Sequence, residues 1–339
     1  MADDGFAVAV VGGTGLAGQE VVELLEHRRF PMRTLRLLGS LRTAGKVVEE
    51  NERKDTVTLL DPQSFEEVDV AFFSAGPTIA GEFAPAAAAA GAAVIDLSSR
   101  FRLDEAVPLV VPEVNPTEIG NRAERGIVAN PSSTAVALAV VLAPLAAEAG
   151  LKRVVVSTYQ GAAGAGRRGI NGLSRETMDL LSSRGERRTR FPRRLAFNCI
   201  PQVGELEPGG QTSHERQVVD ETRKILSDPA LAMQVTAVRV PVFFGTGLSV
   251  VVETERPLDA DGARAVLRDA PGILLADEVD EPYPTPAEVA GSDATHVGRL
   301  REDLSVPGGL AFWAAIDNVR KGAALNAVQI AEILVRDYL

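Results

Sequence analysis

The chain has 339 residues, 45% hydrophobic and 24% charged, with a formal net charge of −11. That length suits two domains and a sizeable core without metal or disulfide staples, and the acidic balance argues against a nucleic-acid partner, whose phosphates it would repel. The single cysteine, Cys199, rules out an intrachain disulfide and fits a reducing cytoplasmic setting.

The first residues, Met1 to Phe6, have no basic segment and run straight into a strand pattern, unlike a signal peptide. Ala7 to Val11 is a short continuous apolar run, the mark of a strand buried on both faces. A glycine-rich turn follows, and Val21, Leu24 and Leu25 then recur at helical spacing. Leu35 to Leu38 and Val68 to Ser74 read as strands, the alanine run Ala86 to Ala90 as a close-packed helix, and Ala93 to Asp96 as a further strand. Strands alternating with helices predict a parallel sheet wound by right-handed crossovers. Thr134 to Ala149 is the longest apolar run, and with Pro144 inside it reads as a buried helix rather than a membrane span.

Beyond about residue 150 the pattern changes. Val154 to Tyr159 and Ala237 to Val242 read as strands, and Ser249 to Thr254 alternates less clearly. Polar, glycine-rich and arginine-rich stretches lie between them, such as Arg184 to Arg194, which reads as a solvated excursion or an intersubunit arm. Trp313, within Leu310 to Ile316, reads as core or dimer sheet. The chain closes on a helix with Ala327, Ile330, Ala331 and Leu334 on one face. No internal repeat and no metal-ligand spacing is present.

Gly12-Gly13-Thr14-Gly15-Leu16-Ala17-Gly18 lies between a buried strand and a helix, the context in which a glycine loop binds a dinucleotide. Glycine permits the tight turn and the close approach of a pyrophosphate, and the helix N-terminus offers unpaired N–H groups. An acidic residue at the end of the next strand would hold the ribose of NAD. Ser40, Arg42 and Thr43 stand there instead, a set suited to the 2′-phosphate of NADP.

These segments resemble the aspartate-semialdehyde dehydrogenase family, and the resemblance covers nearly the whole chain. It is carried by Val8 to Glu20, Phe30-Pro31, Ser40 to Lys46, Phe73 to Gly76, Ile95 to Ser99, Val107 to Asn115 and Ser157 to Gln160. Ala196 to Asn198, Arg239 to Pro241 and Asp317 to Ala324 continue the series. It implies an α/β architecture: a Rossmann-type NADP-binding domain formed by residues 1–132 and 321–339, and an α+β catalytic and dimerisation domain of the glyceraldehyde-3-phosphate dehydrogenase type over 133–320. It also implies a homodimer, and the NADP-linked interconversion of aspartyl phosphate and aspartate semialdehyde. By the same resemblance Gly12, Thr14, Gly15, Leu16, Ala17, Ser40, Arg42, Thr43, Ser74, Ala75, Gly76, Gly164 and Asn318 would contact the cofactor. Arg102, Glu215, Gln217 and Arg239 would face an aspartate-like anion and its phosphate, and Gln160 the acyl group.

The family reaction needs a cysteine nucleophile and a histidine acid/base. The position of the family cysteine, in an Asn-Pro-Asn-Cys motif, is here Ser133 in Asn130-Pro131-Ser132-Ser133. A thiol has a pKa of about 8.5 and less at a helix N-terminus, whereas a serine hydroxyl does not ionise in this range. The family histidine, seven residues after the arginine of an Arg-Val-Pro motif, is here Thr246. None of the three histidines, His27, His214 and His296, occupies that position, and His27 reads as a surface residue ending the first helix. The family's phosphate-contacting lysine becomes Gln217, an asparagine becomes Leu97, and a loop serine becomes Ala163. These departures predict a Usg-type member with lost or strongly reduced dehydrogenase activity. The alternative is an active NADP-dependent oxidoreductase acting on aspartate semialdehyde or a related acyl or aldehyde substrate. A hydrolase built on Ser133 is set aside for want of a Gly-x-Ser-x-Gly elbow and a histidine partner. Cys199 reads as a small buried hydrophobe rather than a relocated nucleophile, and Ser133 with Glu215 as its base is likewise disfavoured.

Overall fold

The computed structural model describes residues 5–50, 53–182, 190–276 and 282–339. The chain forms two compact units, Met1–Ser132 with Ala323–Leu339, and Ser133–Gly322.

The first unit is built on β1 (Phe6–Val11), β2 (Met32–Gly39), a hairpin of β3 (Val47–Glu50) and β4 (Arg53–Thr56), β5 (Thr58–Leu59), β6 (Val70–Phe73), β7 (Ala93–Asp96) and β8 (Ile127–Ala129). Six of these form one sheet in the order β5-β2-β1-β6-β7-β8, every pair parallel. β1 is central, which is why its residues from Ala7 to Val11 are all buried. The wound α/β unit read from the sequence is therefore present. The hairpin β3–β4 and the short strand β5 have no apolar run to announce them, and β8, the buried Ile127-Val128-Ala129, is only three residues long.

α1 (Leu16–His27) buries Val21, Val22, Leu24 and Leu25 and ends on exposed His27, a placement that suits the helix dipole. α2 (Pro77–Ala89) opens with proline in its first turn and buries only the small Ala80, Ala84 and Ala87. The chain's last helix returns to this core with Ala327, Val328, Ile330, Ala331 and Leu334 buried.

The second unit begins with α3 (Ser133–Ala149), buried almost all round from Thr134 to Leu142, as a central core helix must be. Then come β9 (Leu151–Gln160), α4 (Gly166–Leu181), α5 (Ser213–Ile225), β10 (Ala232–Arg239), β11 (Thr246–Thr254), α6 (Ala260–Arg268), β12 (Ile273–Ala276), β13 (Thr295–Glu302) and β14 (Gly309–Ile316). After them α7 (Asn326–Asp337) is the returning helix of the first unit. The sheet runs β10-β9-β11-β14-β13-β12, with antiparallel pairs at its centre and a parallel pair at each edge. α3, α5 and α6 pack against one face. The polar stretches between the strands are not all solvated excursions, because two of them are α4 and α5. α5 starts at a capping box in which Thr212 and Glu215 satisfy each other's backbone N–H groups. Residues 184–189 of the arginine-rich stretch lie outside the described residues. β10 stops at Arg239 rather than reaching Val242, before Pro241, which has no N–H to give a ladder. No helix among the described residues is long and apolar enough to cross a membrane.

Candidate cofactor and substrate sites

In the first unit, the carboxyl ends of β2, β1 and β6 lie side by side where the strand order reverses about β1. The loop after β1 turns at Gly12, whose φ of +86° suits glycine. A Cβ there would stand 3.0 Å from both the Ala75 nitrogen and Ser74 Oγ, and a Cβ on Gly18 would collide with the Gly12 carbonyl. Ser74 Oγ donates to the Val11 carbonyl at 2.9 Å, tying the β6 loop to the β1 loop. Gly15 and Gly76 cap α1 and α2 with no side-chain hydrogen bond, so the first-turn N–H groups face outward. Thr14, Leu16 and Ala17 are half-buried along this loop, and Ala75 is exposed. After β2 the Ser40 carbonyl accepts the Thr43 N–H at 2.8 Å and its hydroxyl at 3.1 Å, a turn that leaves Ser40 and Arg42 exposed. A cradle without Cβ atoms beside two open helix N-termini fits a pyrophosphate, and the Ser40–Thr43 turn fits a further phosphate.

Arg102, also in the first unit, is buried and donates to the carbonyls of Asn130 at 2.9 Å and Leu97 at 3.0 Å, which follow β8 and β7. Burial pushes the Asp96 carboxyl above the ordinary carboxylate range. The Ser98 N–H and hydroxyl, at 2.9 and 2.8 Å, and the charges of Arg102 and Arg100 oppose that shift.

In the second unit the strand register assembles residues far apart in sequence. Arg239 pairs with Gln160 across β10 and β9, and Gln160 with Thr246 across β9 and β11. All three side chains are buried, and paired residues point to the same face. Ser133 opens α3, half-buried, and a Cβ on Gly322 would collide with its own Cβ. Gln160 Nε2 lies 3.1 Å from Thr158 Oγ1, 3.4 Å from Thr134 Oγ1 and 2.9 Å from His214 Nε2. Sequence reading missed His214. The Thr212–Glu215 capping box places it in the first turn of α5, but only packing brings it to Gln160.

Arg239 Nη1 donates to the Gly161 carbonyl at 2.6 Å, and no carboxylate among the described residues pairs with it. Burial alone lowers its pKa to about 10, so it stays charged at neutral pH. Gly164 leaves room for that guanidinium. Glu215 is fully engaged: Oε2 accepts the Thr212 N–H at 2.6 Å and Oε1 the Ala237 N–H at 2.8 Å. It joins helix to strand and is not available as a base for Ser133. Gln217 is half-buried two residues further along α5. Asn318 Oδ1 accepts the Gly245 N–H at 2.8 Å, holding the turn that leads into Thr246. Cys199 is exposed, which corrects the expectation of a buried hydrophobe. Among the described residues no group of three or more His, Cys, Asp or Glu side chains could hold a metal ion.

Two family models match: "Semialdehyde dehydrogenase, NAD binding domain" over residues 7–122 and "Semialdehyde dehydrogenase, dimerisation domain" over residues 142–321. Aspartate-semialdehyde dehydrogenases from Shewanella violacea and Aquifex aeolicus are each 42% identical, covering 98% and 99% of both chains respectively. The crystal structure of Vibrio cholerae aspartate semialdehyde dehydrogenase II complexed with ASA superposes with a TM-score of 0.95 at 42% identity, covering 99% of this chain and 100% of that one. A Candida albicans aspartate semialdehyde dehydrogenase with NADP, 22% identical over 98% of this chain and 99% of that one, shares the fold at a TM-score of 0.77. With a parallel NAD-binding unit, a mixed-sheet dimerisation unit and relatives matched end to end, the chain belongs to the aspartate-semialdehyde dehydrogenase family.

Proposed function

We propose that this protein is a homodimeric, NADP-binding member of the family that has lost, or nearly lost, the dehydrogenase reaction, in the manner of the Usg-type branch. The observation that carries the reading is Ser133 at the first position of α3. The helix N-terminus there would lower a thiol's pKa and favour the thiolate, but it leaves a serine hydroxyl protonated. Glu215, the base weighed for Ser133 from the sequence, is held instead by two backbone N–H groups. The β11 position that holds the family histidine is a buried threonine, which has no proton chemistry near neutral pH.

The binding apparatus is kept where the chemistry is not. The glycine cradle, Ser74 to Gly76 and the Ser40–Thr43 turn would hold NADP, which when bound supplies the hydride acceptor. Arg239 is a buried cation with no counter-ion among the described residues, suited to a substrate carboxylate. Gln160 presents an amide to an acyl oxygen, and Arg102 would face the phosphate. These retained groups are also what an active oxidoreductase would show, and turnover separates the two readings. NADPH formation is followed from aspartate semialdehyde, phosphate and NADP, beside the double variant S133C/T246H, with NADP titrated into both. Binding without turnover in the wild type is expected. Turnover of about 1 per second or more would establish the active enzyme instead.

A further inference from the structure

We infer that His214 is the proton-transfer group of this site, an imidazole supplied by α5 where β11 offers only Thr246. The inference rests on the reading that Ser133 silences the chain, and it narrows that reading to a lost nucleophile with the acid/base function kept.

The geometry is specific. Two nitrogens 2.9 Å apart, His214 Nε2 and Gln160 Nε2, need one N–H and one lone pair between them. An amide nitrogen donates only, so in this orientation Nε2 accepts and the ring is neutral. With the amide turned over, its oxygen accepts from a protonated Nε2. The Thr158 hydroxyl, 3.1 Å from the same amide nitrogen, can donate or accept and so satisfies both orientations. Both protonation states of His214 therefore have a hydrogen-bond partner in Gln160, the amide turning over between them.

Gln160 is the middle of the row Arg239–Gln160–Thr246, and it also approaches Thr134 in the first turn of α3, next to Ser133. The imidazole thus reaches the same side chain beside which β11 places Thr246. Of the charged neighbours on α5 and β10, Glu215 is held by Thr212 and Ala237 and Arg216 by Glu207, while Arg239 donates to the Gly161 carbonyl and stays the cation beside Gln160. The other histidines are exposed His27, in the first unit, and His296, on β13 beside Ser292. A ligand acyl oxygen competes with Nε2 for the Gln160 amide, and once it takes that N–H the lone pair of Nε2 faces the ligand.

In an S133C chain the step balances as follows. The thiolate adds to the aldehyde carbon, forming the C–S bond as the C=O π bond breaks, and the carbonyl oxygen takes the proton from protonated His214 Nε2, leaving the ring neutral. That carbon then gives a hydride, two electrons, to NADP and is oxidised to a thioester, while the hydroxyl proton passes to His214 Nε2. A phosphate oxygen attacks the thioester, the C–O bond forms, the C–S bond breaks, and the proton returns to the departing sulfur.

The test compares S133C, S133C/H214Q, S133C/T246H and S133C/H214Q/T246H, all in a C199S background so that exposed Cys199 does not report. NADP titration and thermal melting check that each is folded. S133C alone is expected to form NADPH, with T246H adding less than about tenfold. H214Q should lower kcat/KM of S133C by about a hundredfold and remove the acid limb of its pH profile, and T246H should restore both in the triple variant. Without NADP, H214Q should also slow iodoacetamide alkylation of the introduced thiol near neutral pH. The inference is overturned if S133C is inert, with or without T246H, or if H214Q leaves rate, pH profile and alkylation unchanged. Turnover by the wild type would defeat the silenced-enzyme reading alone, and H214Q in the wild type would then be judged by the same loss of rate and acid limb.

Discussion

Gly164 makes the room that Arg239 fills: a Cβ on the glycine would lie 2.6 Å from Nη1 of the arginine. The guanidinium is the flexible end of its side chain, so G164A should displace it while changing stability by no more than about 0.5 kcal/mol. Displacement matters for binding, because Arg239 is a buried cation that donates to the Gly161 carbonyl and pairs with no carboxylate among the described residues. Calorimetric titration with aspartate semialdehyde should therefore show affinity reduced by about tenfold or more, since a buried charge-assisted hydrogen bond is worth about 1.5–3 kcal/mol. Unchanged affinity would remove Arg239 from the ligand site.

Glu215 offers the opposite behaviour. Its two oxygens accept N–H groups from Thr212 and Ala237, and its charge sits in the first turn of α5. E215A leaves two buried donors unsatisfied, at about 1–3 kcal/mol each, so a loss of about 2–6 kcal/mol is expected. E215Q should fall between, because its amide keeps one acceptor and turns a donor toward the other N–H. Urea denaturation measures both, and a loss well under 1 kcal/mol would mean the clasp between α5 and β10 is not holding the unit.

Arg42 is exposed on the turn after β2, where the 2′-phosphate of NADP would lie. R42A should weaken NADPH binding by about tenfold while leaving NADH binding nearly unchanged, since only the former carries the extra phosphate. Equal effects on both nucleotides would place the adenosine elsewhere.

The first unit was legible because its signals are local. A strand buried on both faces is an apolar run, and the turn at Gly12 needs glycine for reasons visible within seven residues. The second unit's site residues were named only through the family resemblance, because no local pattern joins them. Arg239, Gln160 and Thr246 become neighbours only through the pairing of three strands, one parallel and one antiparallel. α5 escaped notice because its sequence, Ser-His-Glu-Arg-Gln-Val-Val-Asp-Glu-Thr-Arg-Lys-Ile, is polar on most of its surface and buries few apolar side chains. With the helix unseen, His214 had no place, and a search confined to the β11 position could not find an imidazole arriving from another element. Cys199 was read as buried from its residue type, whereas its loop leaves it exposed.

His296 gives a pH test of the second unit. It is half-buried on β13 with a ring nitrogen 2.7 Å from Ser292 Oγ, and burial pushes its pKa below the usual value. The folded state therefore favours the neutral ring, while the unfolded chain takes up a proton near pH 6.5. Stability present above that pH is lost as the pH falls through the lower folded pKa. H296N should flatten this part of the slope: melting temperatures of wild type and variant should converge as the pH is lowered from about 7.5 toward 5. Parallel curves would show that His296 titrates alike in both states.

The uncovered face of the second sheet bears on the proposed dimer. Val155, Val251 and Ala311 are in register across β9, β11 and β14, and Ser157, Ser249 and Trp313 form the next row on that face. Trp313 lies across Gly247, where a Cβ would collide with its ring, and it meets Tyr159 at 5.5 Å between centroids. Its indole N–H donates to the Pro284 carbonyl at 2.8 Å, which fixes the ring flat against the sheet. α3, α5 and α6 occupy the other face, so this one keeps half-exposed valines and aromatics that a solitary sheet would leave in water. A second copy packed here would bury them. V251R places a charge at the centre of the face while the side chain keeps access to solvent in a monomer. Light scattering should show a dimer for the wild type and a monomer for V251R, with the monomer still binding NADP through the first unit. A V251R protein that remains dimeric would move the interface off this sheet.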